Sequence, residues 1–157
     1  RIHSMALVYN KLYQSRDLAK IGFDEYVRDL VADLMRSYSL TPGYHQIVTE
    51  VADIRLDLYL AIPCGLIINE VISNSLKHAF PAGRRGTISI NISAKDGMLE
   101  MLLGDDGIGL PAEVTPGNTS SLGIQLIYSL TEYQLQGKMT VERGGGTQYR
   151  ITLPIAL

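Results

Sequence analysis

The sequence predicts an α/β fold, a two-layer sandwich in which a mixed, mostly antiparallel sheet carries helices on one face. Three observations predict it. Strand-like runs come in pairs joined by short turns, helical segments stand between those pairs, and the strict strand-helix-strand alternation that a parallel sheet requires is missing.

The elements can be taken in order. Apolar residues at Ile2, Met5, Ala6, Tyr9, Leu12 and Tyr13 recur at helical spacing. A helix so short needs a partner, so this reads as the end of a longer one. Asp24 is expected to cap a second helix from Glu25 to about Tyr38, with Tyr26, Val27, Leu30, Val31 and Leu34 as its apolar stripe and Thr41-Pro42-Gly43 as its stop. Ile47 to Val51 and Leu56 to Leu60 read as a hairpin around Ala52-Asp53-Ile54-Arg55. Pro63 suits the first turn of a helix, where a missing N–H costs nothing, and the periodic pattern runs on to Ala79 before Pro81-Ala82-Gly83 closes it. Thr87 to Ser93 and Met98 to Leu103 flank Asp96-Gly97, a strong two-residue turn signal. The segment from Gly104 to Ser121, rich in Gly, Pro, Asn, Thr and Ser, is long for a structureless loop and suggests a lid. A last helix from about Leu122 to Tyr133 precedes a further strand pair, Lys138 to Glu142 and Gln148 to Leu153, around Arg143-Gly144-Gly145-Gly146. The tally is about six strands and three internal helices, within the range expected of one domain.

Composition narrows the function. The 157 residues fit one domain, and 46% hydrophobic residues supply a core. With 14 Lys and Arg against 16 Asp and Glu, the chain lacks the basic excess that binding to a phosphate backbone needs, so no nucleic-acid partner is expected. The single cysteine, Cys64, excludes an internal disulfide and suits a reducing, cytoplasmic compartment. Leu58 to Ile68, the longest apolar run, is cut by Pro63 and Gly65, so any membrane anchor is expected outside this chain. Arg1 opens on a helical pattern already under way, which reads as a piece of something longer.

Four short patterns carry chemistry. Glu70, Asn74, Lys77 and His78 lie at helical offsets of zero, four, seven and eight, which aligns them in one stripe. Such a stripe fits a solvated face with a weak Glu-to-Lys contact. It equally fits Mg²⁺-nucleotide chemistry, with the Asn74 oxygen on the metal, Glu70 holding or activating a water or hydroxyl, and Lys77 facing phosphate. Asp105-Asp106-Gly107-Ile108-Gly109 after a predicted strand is either an ordinary loop or an adenine site, one carboxylate accepting from the amino group while glycines admit the base. Ser121-Leu122-Gly123 at a helix start is either a plain cap or a phosphate receptor. Gly145-Gly146-Thr147 alone is a hairpin turn.

In this order the four resemble the ATP-binding domain shared by sensor histidine kinases, type II topoisomerases, heat-shock chaperones of the gyrase-like class and mismatch-repair ATPases, known as the Bergerat fold. Asn69-Glu70-Val71-Ile72-Ser73-Asn74-Ser75-Leu76-Lys77-His78-Ala79-Phe80-Pro81 is similar to the asparagine box of histidine kinases with the second type of dimerisation domain. Asp105-x-Gly107-x-Gly109 is similar to the first glycine box, Ser121-Leu122-Gly123 to the second and Gly145-Gly146-Thr147 to the terminal Gly-Thr. Upstream, Arg1-Ile2-His3-Ser4-Met5-Ala6-Leu7 and Lys11-Leu12-Tyr13-Gln14-Ser15 resemble the end of that subgroup's dimerisation helix.

The resemblance implies two parts, residues 1–20 as the remnant of a dimerisation helix and 21–157 as the ATP-binding domain. It implies Glu70 as the catalytic carboxylate, Asn74 as the Mg²⁺ ligand, Lys77 and His78 as nucleotide contacts, and Asp105 as partner of the adenine N6. Gly107 and Gly109 would shape the base pocket, Leu122 and Gly123 would hold phosphates through backbone, and Thr147 would reach adenine through water. The implied activity is transfer of the ATP γ-phosphoryl group to a histidine upstream, in a homodimer that signals to a response regulator. The lid lacks the phenylalanine-bearing segment of many histidine kinases, and the phospho-acceptor box is absent. His3 has no acidic neighbour at either side and is not expected to be the acceptor. Two rivals share the pocket: a serine kinase of the anti-sigma-factor type, and a nucleotide-gated binding module that transfers nothing.

Overall fold

A computed structural model describes residues 20–38, 45–115 and 121–155. The predicted first helix and His3 lie outside the described residues, as does Thr41-Pro42-Gly43. The described elements run in the order β1 (Lys20–Gly22), α1 (Phe23–Ser37), β2 (His45–Val51), β3 (Arg55–Asp57), α2 (Leu58–Asn74), β4 (Gly86–Lys95), β5 (Met98–Asp105), α3 (Leu122–Ser129), β6 (Lys138–Glu142) and β7 (Thr147–Pro154). Each of α2 and α3 ends in a π turn, Ser75–Ala79 and Leu130–Gln134.

The main sheet has the order β2-β4-β5-β7-β6, parallel between β2 and β4 and antiparallel elsewhere. Along β4 the side chains alternate, Ile88, Ile90 and Ile92 buried against Ser89, Asn91 and Ser93 exposed. The same period continues through Leu99, Met101 and Leu103 of β5 and Tyr149, Ile151 and Leu153 of β7, so one face is core and the other open to solvent. The core face meets the buried stripe of α1 (Tyr26, Val27, Leu30, Val31 and Leu34) and the apolar face of α2, including Ile67, Ile68 and Ile72. The predicted two-layer α/β sandwich is the observed one.

Several expectations are corrected. The hairpin from Ile47 to Leu60 does not form: β2 pairs in parallel with β4, Ile47 beside Ile88, while β3 pairs with β1, Leu56 beside Ile21. Leu58 to Leu60 are helical, because the Asp57 carboxylate accepts from the Leu60 N–H at 3.2 Å and starts α2 there. Pro63 consequently lies inside α2 rather than in the first turn of a helix beginning at Pro63. Helix α1 starts at Phe23 with Gly22 at its cap position. Asp24 falls in the first turn, where it pairs with Arg28 at 3.0 Å instead of capping. The Asp96-Gly97 turn forms as expected, with φ of 53° and 75°. Leu58–Ala79 is by length and composition apolar enough to cross a membrane, but 67% of its most apolar window is buried in the domain, as befits a core helix.

Candidate active site

Helix α2 brings the asparagine box under the end of the sheet. Asn69, Glu70, Ser73 and Ser75 are buried and Asn74 half-buried. Strand β5 ends at Asp105, whose register partner on β7 is Thr147. The chain then folds back onto the end of the helix: the Ile108 N–H donates to the Ala79 carbonyl at 3.0 Å. Only glycine fits just before it, since a Cβ on Gly107 would lie 2.3 Å from the Ala79 oxygen.

A cleft of about 460 Å³ opens between these parts. Val71, Ala79, Ile108, Leu110, Val114 and Ile124 give it apolar walls, and Asn74, Ser75, His78, Asp105, Thr147 and Tyr149 supply polar atoms. Mostly apolar walls with a few convergent polar groups are the usual make-up of a small-molecule site. The Asp105 carboxylate is held from two sides: Ser75 Oγ donates to Oδ2 at 2.6 Å and the Gly107 N–H donates to Oδ1 at 2.9 Å. Burial, reinforced by the Asp105 charge and opposed by Arg143, pushes the Tyr149 phenol up to about 12, so it keeps its proton beside that carboxylate. Arg143, from the glycine-rich turn, donates to the Val114 carbonyl and ties that turn to the loop rimming the cleft.

At the other end, the start of α3 comes down on α2. A Cβ on Gly123 would sit 2.9 Å from Glu70 Oε2 and within 3.2 Å of the Asn74 amide, so the approach exists because residue 123 has no side chain. Ser121 Oγ accepts from the Ile124 N–H at 3.4 Å, a weak side-chain cap. Leu122 is 73% exposed and points its side chain away from the core.

Of the residues singled out in the sequence, Asn74, His78, Asp105, Gly109 and Thr147 meet in the cleft wall. Glu70 is buried behind Gly123 rather than in that wall, and Gly107 packs behind it on Ala79. The stripe of Glu70, Asn74, Lys77 and His78 does not persist as one line. The i→i+5 turn at Ser75–Ala79 takes residues after Asn74 off α-helical register, leaving Lys77 exposed and outside the wall. Of the predicted lid, Pro111 and Val114 line the cleft, while residues 116–120 lie outside the described residues. Ser75, Ile124 and Tyr149 were not singled out. Tyr149 was in reach, because it lies two residues beyond Thr147 and therefore on the same strand face.

Among the described residues no group of three or more His, Cys, Asp or Glu could cage a metal ion. A divalent ion would therefore have to arrive largely coordinated by its own ligands. That suits Mg²⁺, which keeps waters and substrate phosphates around it and takes one or two protein oxygens. The Asn74 amide, beside the space that Gly123 leaves clear, fits such a single ligand.

With this geometry, residues 61–157 match the model of the histidine kinase-, DNA gyrase B- and HSP90-like ATPases, and residues 1–38 match a histidine kinase model. The chain belongs to the histidine kinase-, DNA gyrase B- and HSP90-like ATPase family. Within it, the relatives that the chain matches are named as sensor histidine kinases. The chain is 29% identical over 159 residues to the sensor histidine kinase PdtaS of Mycobacterium tuberculosis, covering 99% of this chain and 31% of that protein. It is 33% identical over 94 residues to blue-light-activated histidine kinase 2 of Erythrobacter litoralis, covering 59% of this chain and 27% of that one. The chain thus spans under a third of the length of these curated relatives. In fold it is similar to the histidine kinase domain of the Erythrobacter litoralis blue-light-activated kinase EL346, with a TM-score of 0.87 at 22% identity over 98% of this chain and 72% of that one. It is also similar to the mycobacterial sensor histidine kinase MprB, with a TM-score of 0.65 at 18% identity over 86% and 95% of the two chains.

Proposed function

We propose that the cleft binds Mg·ATP and that the domain transfers the γ-phosphoryl group to a histidine on a dimerisation helix, of which residues 1–20 form the tail. The observation that carries this reading is the fixed Asp105 carboxylate at the base of an apolar cleft, with Asn74, Glu70 and the α3 start gathered around Gly123. In this reading Asp105 accepts from the adenine amino group between apolar walls, and Thr147, its ladder neighbour, reaches the base through water. Gly109 and Gly107 shape the base pocket. Lys77, His78 and the backbone at Leu122 and Gly123 hold phosphates. Asn74 holds the Mg²⁺ ion, which when bound neutralises charge on the phosphate oxygens.

Phosphoryl transfer is chiefly a matter of positioning and charge. The imidazole nitrogen forms a bond to the γ-phosphorus as the bond from phosphorus to the β–γ bridging oxygen breaks. ADP leaves with that electron pair, and Glu70 takes the proton that the imidazole sheds. The acceptor helix belongs to the protein's own dimerisation domain in a homodimer, the phosphoryl group passes on to a response regulator, and the domain works in the cytoplasm.

The test mixes this chain, Mg·ATP labelled at the γ-phosphorus, and a dimerisation hairpin carrying the candidate histidine. Acid-labile label on the hairpin, absent with Glu70→Gln, is expected. Acid-stable phosphoserine on a protein substrate would favour the anti-sigma-factor type of kinase, and tight binding without transfer a nucleotide-gated module.

A further inference from the structure

We infer that Ser75 is a positioning residue for nucleotide-base recognition: its hydroxyl fixes the Asp105 carboxylate so that this end of the cleft accepts a 6-amino group. The inference rests on the reading of Asp105 as the adenine partner and adds a residue to it. Ser75 opens the π turn that follows α2, is 4% exposed and lines the cleft beside Asp105. Its Oγ is 2.6 Å from Asp105 Oδ2, within the short range of an O–H donor facing an ionised acceptor. The Gly107 N–H holds the other oxygen at 2.9 Å, and Gly107 is itself locked against Ala79. The two donors come from different elements, the helix end and the loop after β5, so together they fix both the position and the plane of the carboxylate.

The chemistry at the cleft follows from the donor count. A serine hydroxyl has one proton, and here that proton is committed to Asp105. What Ser75 and Asp105 then present to the base is a set of lone pairs, from the carboxylate and from Ser75 Oγ. An amino group can satisfy such a site, whereas a purine bearing only hydrogen at position 6 covers these acceptors and leaves them unmatched. Without Ser75, Oδ2 loses its fixed donor, and the carboxylate can rotate about its last bond away from the geometry that an incoming amino group needs. Ser75 therefore acts on discrimination at position 6 of the purine, and not on the phosphates.

Two nucleotides separate this role from a purely structural one: ADP, and the ADP analogue in which hydrogen replaces the 6-amino group. Calorimetric affinities are compared for the wild-type chain, Ser75→Ala, Asp105→Ala and the double variant. The expected result is that Ser75→Ala weakens ADP roughly tenfold, the size of one lost charge-assisted hydrogen bond, and the analogue far less. In the Asp105→Ala background the same change should cost ADP little further affinity. Equal weakening of both nucleotides, or additive effects of the two substitutions, would overturn the inference while leaving the nucleotide site intact. A wild-type chain that binds neither nucleotide would overturn the site reading itself. Should Ser75→Ala fail to fold, Ser75→Cys, close in volume and a weak donor, carries the same comparison.

Discussion

Gly123, at the start of α3, and Glu70, on α2, approach so closely that a methyl group on Gly123 would lie 2.9 Å from Glu70 Oε2. The atom it would meet is the end of a flexible side chain, and alanine favours a helix over glycine by about 1 kcal/mol. Gly123→Ala should therefore change stability by less than about 1 kcal/mol, while displacing the Glu70 carboxylate and the Asn74 amide. Thermal melting should stay near wild type and phosphoryl transfer should fall steeply. A variant with full transfer activity would show that this contact has no part in the reaction.

Gly107 presents the opposite case. Its missing methyl would meet the Ala79 backbone oxygen at 2.3 Å and the Ala79 Cβ at 2.5 Å, neither of which can swing aside. Gly107→Ala should destabilise the domain by about 1–3 kcal/mol through overpacking, read as a lower denaturant midpoint. It should also weaken ADP, because the Gly107 N–H that holds Asp105 moves with it. An unchanged midpoint would contradict the close packing of the loop on the helix end.

Asn74→Ala should leave metal-free ADP binding largely intact and remove the gain in affinity that Mg²⁺ brings. In the proposed reading the amide offers the metal a single oxygen, whereas base binding rests on Asp105 and the apolar walls. Calorimetry with and without Mg²⁺ separates the two. Equal Mg²⁺ dependence in the variant and the wild type would remove Asn74 from the metal site.

Alkaline pH should weaken the fold. Burial pushes the Cys64 thiol from 9.0 up to about 12, and the Tyr149 phenol rises from 10.0 to about 12. Between those values the unfolded chain has released protons that the folded chain retains, so raising the pH favours unfolding. Stability should hold below about pH 9 and then fall by up to about 1.4 kcal/mol per pH unit for each group, until both have titrated in the folded state. Melting curves from pH 8 to 11 would show it, with a shallower decline in Cys64→Ala. Native Cys64 should also resist thiol reagents at pH 8. A flat stability profile would contradict the burial.

Much of this was legible in the sequence where local pattern and final structure agree. The Asp96-Gly97 hairpin, the α1 stripe and the asparagine box on α2 are each specified within a few turns of chain. What escaped depends on distant segments. Ile47 pairs with Ile88, a contact no local pattern marks, so β2 passed for half of a hairpin with the residues just after it. Leu58-Tyr59-Leu60 looks like a strand until Asp57 is seen to cap the helix. Three-residue β1 is too short to show a period. Asn74 and Asp105 stand out by type, as an amide and a carboxylate within short motifs, and Thr147 only through the family resemblance. Ser75 does not, because its contact with Asp105 exists only once the fold brings β5 against the end of α2.

The central claim, that this cleft recognises an adenine nucleotide through Asp105, is tested most directly by titrating ADP into the wild-type chain and into Asp105→Asn by calorimetry. The expected result is one saturable site in the wild type and binding weaker by about 1–3 kcal/mol in the variant, whose amide can present a donor where the base needs an acceptor. Absence of binding in the wild type, or equal affinity in the two proteins, would contradict it.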